Sequence, residues 1–475
     1  MLPSRLRALL ASATFLALSA CATTPPPADA QLYTNFTLLD PATETRIDDA
    51  FMLVANGRIL ATGRGDGPSN IPADRRHDMS GAYALPGFID THAHITLSRL
   101  DVAVENGTPV IRATSEDDIT AHNARTLVSF GVTTIRNPGG ATAANVAYNE
   151  RVRSGALLGP EQRAAGEILD TMPFEGLTLA VTDTASIEAA VARQAEAGMA
   201  YIKLYHLLDE AQFTAGVEAA HRHGLEAITH TGAISWDRAA ELGVDAIVHA
   251  MPISPDSLPV SAREGYRGAD ETAGHAFYEW WERADLDSPE ITRLIRVLAE
   301  HQVTVDLTLV VFQKTFWGDD QSVRDAGGGF VHPLVRENWR IFRFDVGWQP
   351  EHYARARAVW PKIQRFARML HEAGVPLTIG TDLANPFVSP GYDTIAEMRL
   401  HQDAGIPAWD VLRMATSDAA ETLHMEDRIG RLARGMEADV VFVDADPTTD
   451  IANAMRTRAV LLNGAYHDAA SLRAN

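Results

Sequence analysis

Between about residues 84 and 424 the chain repeats one unit: a short β-rich run, then a stretch with helical periodicity, then another run. Apolar residues three and four apart mark helices through Ile119, Leu127 and Phe130, through Ile187 and Val191, through Phe213 and Val217, and through Ile291, Leu294 and Leu298. Pro361 is expected to open one more, through Ile363, Phe366 and Leu370. The runs between them, at 85–91, 132–136, near 162–168, and at 201–205, 226–229, 246–248, 303–311 and 376–380, make eight strands. This alternation is the grammar of a parallel sheet. An open sheet would gather polar chemistry at one switch point, whereas here polar residues recur at the ends of several strands. The expected α/β fold is therefore a closed (β/α)8 TIM barrel.

The 475 residues suffice for a barrel of about 250 residues with additions. Residues 31–83 and 425–475 read instead as short strands. Asn56-Gly57 marks a hairpin between two of them, and Asp446-Pro447 separates two others. The two ends are expected to build one small composite β-sandwich domain, with the barrel over 84–424. Segments at about 252–290 and 313–360 break the alternation. They carry Trp280, Trp281, Trp317, Trp339, Trp348 and Trp360, and the glycine run 327–329. Long segments at such positions shape pockets or simply cap the barrel with surface helices.

Residues 1–21 read as an export signal: Arg5 and Arg7, an apolar run over 8–17 too short to span a bilayer, then Leu18-Ser19-Ala20-Cys21. The ending is similar to a bacterial lipoprotein signal, with Cys21 lipidated. Ala22, not aspartate, then points to the periplasmic side of an outer membrane; cleavage near Ala20 would give a soluble periplasmic protein. Residues 22–30, with Pro25-Pro26-Pro27, form a Pro-rich linker. The membrane is thus met through the anchor alone. Cys21 is the sole cysteine, so disulfides within the mature chain and thiolate ligands are excluded. A formal charge of −21 argues against nucleic acid as partner. The expected partner is a small-molecule substrate, and the sequence is compatible with a homo-oligomer.

The chemistry begins with His92-Ala93-His94. On a strand, residues two apart face the same side, so both imidazoles can serve one cation. His221 and His223 have the same spacing at the end of a helix, where they diverge. Lys203, His230, His249 and Asp382 each end a later strand. Taken singly, a histidine there packs, an aspartate caps a helix and a lysine snorkels. Taken together, six polar groups stand where a barrel puts its site.

The segment Leu85-Pro86-Gly87-Phe88-Ile89-Asp90-Thr91-His92-Ala93-His94 resembles the entry signature of the amidohydrolase superfamily. The resemblance continues through Gly131-Val132-Thr133-Thr134, Gly380-Thr381-Asp382, Ala415-Thr416 and the run from Gly430 to Asp439. Within the superfamily the chain looks most like the imidazolonepropionase-like and prolidase-like hydrolases. Members with a lysine at the fourth strand carry it carbamylated between two metals, and Lys203 matches that position. The resemblance implies His92, His94 and Asp382 on one divalent ion, His230 and His249 on a second, and Lys203 shared. Nitrogen and oxygen ligands without thiolate suit zinc. It implies hydrolysis of an amide-like C–N bond, in a dipeptide, N-acyl amino acid or cyclic amide, by a metal-bridging hydroxide, with Asp382 as catalytic proton carrier. Tyr205, two residues after Lys203, and His206 are expected to contact substrate. The competing expectations are a mononuclear deaminase or cyclic-amide hydrolase, and a surface lipoprotein without activity.

Overall fold

The computed structural model describes residues 27–105, 108–266 and 274–474. The export signal with Cys21, and the first residues of the linker, lie outside them. Eight short strands form the central ring: Phe88–Asp90, Val132–Asn137, Glu161–Ala164, Tyr201–Leu204, Glu226–Thr229, Ala246–Val248, Thr304–Asp306 and Leu377–Thr378. Successive members pair in parallel, the third meeting the fourth through a bridge between Ala165 and Tyr201. The last returns to the first. Thr91 N–H donates to Ile379 O at 2.7 Å, Asp382 N–H to His92 O at 2.7 Å and His94 N–H to Leu383 O at 3.1 Å. The chain is therefore a (β/α)8 barrel. Strands such as Tyr201–Leu204 are buried at every position because helices cover their outer face, which is why they read as near-continuous apolar runs.

The helix Glu210–Arg222 shows how local chemistry fixes the strand before it. Asp209 caps it by accepting the Gln212 N–H at 2.8 Å, while Gln212 Oε1 accepts the Asp209 N–H at 3.0 Å. Phe213, Gly216, Val217 and Ala220 form its buried face. A Cβ on Gly216 would lie 2.5 Å from Leu204 Cδ2, so the missing side chain lets the helix sit directly on the strand that carries Lys203.

Three elements depart from the sequence expectation. The run 303–311 is not one strand. It pairs only over Thr304–Asp306, turns at Thr308 (φ 46°) and continues as the helix Leu309–Phe316. An apolar run reads alike as strand or buried helix, and here the distant Glu397 decides. Its carboxylate accepts the Leu309 and Val310 N–H groups at 2.9 and 2.6 Å, and so caps the helix start. Pro361 does not open a helix; it lies inside Pro350–Glu372, whose first turn is instead begun by Pro350. The third strand is split, since Ile168–Asp170 leaves Glu161–Ala164 and pairs with Thr178–Ala180.

Both chain ends enter one seven-stranded sheet. Gln31–Asp40 lies between Thr45–Ala55 and Arg76–Pro86, and Arg76–Pro86 pairs on its other side with Val440–Val443. Asn56 (φ 51°) and Gly57 (φ 71°) are both left-handed, the turn that matches hairpin twist. The sheet bends over an apolar layer that includes Phe36, Met52, Val440 and Phe442, and Ile59 N–H reaches Met436 O at 2.9 Å across it. Arg76–Pro86 runs through Gly87 straight into the first barrel strand.

Asp439 ties this sheet together: its backbone oxygen accepts the Gly87 N–H at 2.9 Å and its Oδ1 the Asn463 N–H at 2.6 Å. Burial pushes its carboxyl up to about 7. Because the folded value exceeds the unfolded one, this group favours folding most at acid pH, and that contribution is lost as pH rises through about 7. Asp439→Asn keeps the Oδ1 acceptor and removes the charge. Urea unfolding should show no difference from wild type below about pH 4 and a gain of roughly 2–4 kcal/mol at about pH 8. A constant difference across this range would contradict the assignment.

Candidate active site

At the carboxyl ends of the strands lies a cavity of about 630 Å³, and Lys203, His94, His230, His249 and Asp382 all line it. His92 is buried at its base, with its ring 4.8 Å from that of His249. Asp382 is the hub: Oδ1 is 3.2 Å from His92 Nε2 and 3.4 Å from His94 Nε2, and Oδ2 is 3.6 Å from His249 Nδ1. The His230 ring stacks edge-on at 4.6 Å from His249 and 5.1 Å from Tyr205. His92, His249 and Asp382 alone already form a set able to hold a metal ion. His221 and His223 are separated as their helical position requires: they bind Asp245 and Glu188 respectively on the outside.

Backbone strain places two of these groups. His249 (φ 70°) and Asp382 (φ 58°) are left-handed immediately after their strands, a conformation that L residues adopt rarely and that concentrates at functional sites. The sequence Gly380-Thr381-Asp382 has a matching reason. A Cβ on Gly380 would lie 2.7 Å from His92 Cβ and 3.1 Å from Asp306 Cγ. Asp90 braces the junction by accepting the Thr381 and Thr394 hydroxyls at 2.8 and 2.9 Å.

Outer partners fix the imidazoles. His92 Nδ1 pairs with Asp306 Oδ1 at 2.9 Å, His94 Nδ1–H donates to Gly139 O at 2.7 Å, and His249 Nδ1 meets Thr308 Oγ1 at 3.0 Å. In His92 and His94 this leaves Nε2, the nitrogen that faces Asp382, for a ligand, whereas in His249 Nδ1 faces both Thr308 and Asp382. Arg136 completes the brace: Nη2–H donates to Asp306 Oδ2 at 2.7 Å and Nε–H to Thr91 O at 2.7 Å.

Electrostatics favours the ligating forms. Burial alone would raise the Asp382 carboxyl, but the neighbouring His92 and His249 hold it well below the usual carboxylate range. Burial keeps His230 and His249 well below, and His94 below, the ordinary imidazole value. Burial brings the Lys203 amine down to about 8. His92 Nε2 and His230 Nδ1 are buried without a hydrogen-bond partner. Burial alone would lower the His92 imidazole too, but the Asp306 and Asp382 carboxylates raise it above its ordinary value, so a bound cation would have to displace its proton. Three unprotonated imidazoles, an ionised carboxylate and buried nitrogens without a hydrogen-bond partner are what a divalent cation needs.

The amidohydrolase family's sequence profile matches residues 83–464. The chain belongs to the amidohydrolase family. It is thus an enzyme of a metal-dependent family that acts on carbon–nitrogen bonds. It is 22% identical to a 5-methylthioadenosine/S-adenosylhomocysteine deaminase of Symbiobacterium thermophilum, over 84% of this chain and 81% of that one. It is 43% identical to an imidazolonepropionase of Caldanaerobacter subterraneus, but only over 49 residues, 10% of this chain and 11% of that relative. A Xaa-Pro dipeptidase crystallised with bound methionine has the same fold, with TM-score 0.66 and 20% identity over 92% of this chain and all of that one.

Tyr205 and His206 also line this amidohydrolase's cavity, with ring centroids 4.4 Å apart. Burial pushes the Tyr205 phenol up, so it stays a hydrogen-bond donor. The insertions reach the cavity through Phe277, Phe342 and Phe344. Their tryptophans pack elsewhere: Trp280 and Trp281 donate to the Ser254 and Ala250 carbonyls behind it. Asp306 and Arg136 went unnoticed in the sequence although each stands near the carboxyl end of a barrel strand, the signal that marked Asp382. Asp306 lies inside the apolar run 303–311, so local pattern does not mark it as a strand end.

Proposed function

We propose that this chain is a binuclear metal-dependent hydrolase that cleaves an amide-like C–N bond. His92, His94 and Asp382 would hold one divalent ion, His230 and His249 the other, and Lys203, as a carbamate, would be shared; the nitrogen and oxygen donors suit zinc. The observation that carries this reading is Lys203. It is 2% exposed, stands at the end of the fourth strand and lines the same cavity as His94, His230, His249 and Asp382. Burial brings its amine down to about 8, so a far larger fraction is unprotonated near neutral pH than in a free lysine, the condition for adding carbon dioxide. Bound divalent ions would supply an activated water and polarise the scissile carbonyl.

The chain's own groups perform the rest. The Asp306 carboxylate and the Gly139 carbonyl orient His92 and His94. Asp382 Oδ takes a proton from the attacking water and delivers it to the leaving nitrogen. The Tyr205 hydroxyl donates to the substrate oxygen, with His206 beside it. Dipeptides, N-acyl amino acids and cyclic amides are the substrate classes to test first.

Metal analysis of the purified protein should find two equivalents per chain. Lys203→Ala should lose metal and activity, and both should return with added acetate or propionate, which replace the carbamate oxygens. One equivalent, unchanged in Lys203→Ala, would instead favour a mononuclear deaminase or cyclic-amide hydrolase; the Symbiobacterium relative is named a deaminase. The same proposal places the enzyme outside the cytoplasm, anchored through Cys21. Palmitate labelling lost in Cys21→Ala would support the anchor, and unlabelled wild type would refute it.

A further inference from the structure

We propose that the substrate is a neutral amide with an extended apolar group, long enough to fill the cavity and reach its rim. This rests on the hydrolase reading above and narrows its substrate.

The cavity wall beyond the ligating groups is apolar. Phe174, Phe277, Phe312, Phe342, Phe344 and Met251 come from the three chain segments that follow the strands Ile168–Asp170, Ala246–Val248 and Thr304–Asp306. Lys203, at the reaction centre, is the one lysine or arginine among the described lining residues. Away from the reaction centre the titratable lining groups are Asp170, whose Oδ1 accepts the Thr171 and Leu207 N–H groups at 2.8 and 3.2 Å, and His206, whose Nδ1 lies 3.9 Å from Asp170 Oδ2 and whose imidazole burial holds below its ordinary value. A substrate carboxylate placed away from the reaction centre would therefore be buried with no cation and near an anion, an arrangement that costs far more than it returns. The net charge of −21 adds long-range repulsion against anions.

The apolar surface also continues outward. Soluble proteins seldom leave large apolar side chains grouped in the open. Here Val102 (52% exposed), Ile111 (48%), Met172 (63%), Leu207 (41%), Ile341 (61%) and Val346 (58%) lie on segments that line the cavity or, for Ile111, on the strand paired with one. Met172 and Leu207 line it themselves, and Ile341 and Val346 flank Phe342 and Phe344. Leu100 lines it too, and Val102, two residues on along the strand Leu100–Glu105, faces the same side, opposite Ile111 of the strand Thr108–Ala113. This hairpin is fastened to the second insertion, where Asn338 accepts from and donates to the Leu100 backbone at 2.9 and 2.8 Å. A rim and a cavity of one polarity, joined by named chain segments, fit one ligand that runs from the reaction centre to solvent. A linear acyl chain has that shape.

Two measurements test this. With metal-loaded enzyme and N-acyl anilides of about four to ten carbons, kcat/KM should rise about three- to fourfold per methylene. A chain of equal length ending in a carboxylate should be at least about tenfold poorer. Leu207→Lys, at a half-exposed position, should shrink the long-to-short ratio and favour the carboxylated analogue. Hydrolysis with no dependence on chain length, or preference for the carboxylate in the wild type, would overturn the inference and leave the hydrolase reading standing. The second measurement needs no turnover. Neutral N-phenyl-1-naphthylamine should bind the full chain with enhanced fluorescence, at least about tenfold more tightly than its sulfonate analogue, and more weakly in Leu207→Lys. Absence of such binding would overturn the inference even if amides are cleaved. Binding without cleavage of any amide would keep the apolar pocket and sink the hydrolase.

Discussion

Asp382→Asn is expected to lower kcat by about 10²–10⁴-fold without adding backbone strain. The substitution is informative because of where the backbone lies. At φ 58°, asparagine is among the residues that fit best, so no new strain enters, as it would with alanine or valine. What changes is charge. The carboxylate faces three imidazoles at 3.2, 3.4 and 3.6 Å. An amide offers them one weaker oxygen and an N–H₂ group that can neither ligate nor accept a proton. Steady-state kinetics with a parallel thermal melt separates the two effects. A variant within tenfold of wild-type kcat would remove Asp382 from the proton-transfer step.

The second large effect belongs to a residue that touches no substrate. Asp306 is fully buried and bridges His92 and Arg136, itself 1% exposed. Asp306→Ala strands the Arg136 guanidinium in the barrel interior without its carboxylate, a change that costs about 3–5 kcal/mol. It also releases His92 Nδ1, which should weaken metal affinity by about 10–100-fold. Combining Asp306→Ala with Arg136→Met should recover much of the stability, because no buried charge is then unpaired, but not the metal affinity. Urea unfolding and competitive metal titration read the two quantities separately. An unchanged unfolding midpoint in the single variant would show that Arg136 finds another partner.

The parts legible in the sequence are those set by local periodicity and by geometry within one element. Alternating strand and helix signals fixed a parallel barrel, and the two-residue repeat of a strand put His92 and His94 on one side. The 3.6-residue turn of a helix separated His221 from His223. Asn56-Gly57 announced its hairpin because few other pairs tolerate two left-handed residues.

Tertiary structure alone decided the rest, because it depends on residues far apart in the chain. Glu397 turns the end of an apparent strand into the start of a helix, and thereby exposes Asp306 as a strand terminus. Asp382 becomes the hub of the site only because the eighth strand closes against the first. The cavity's apolar character comes from phenylalanines on short helices and loops of three distant segments, so nothing in local periodicity could gather them. Local sequence thus determined which elements form and which polar groups end them. Long-range packing determined which of those groups meet, since each contact joins segments whose spacing along the chain carries no signal of their distance in space.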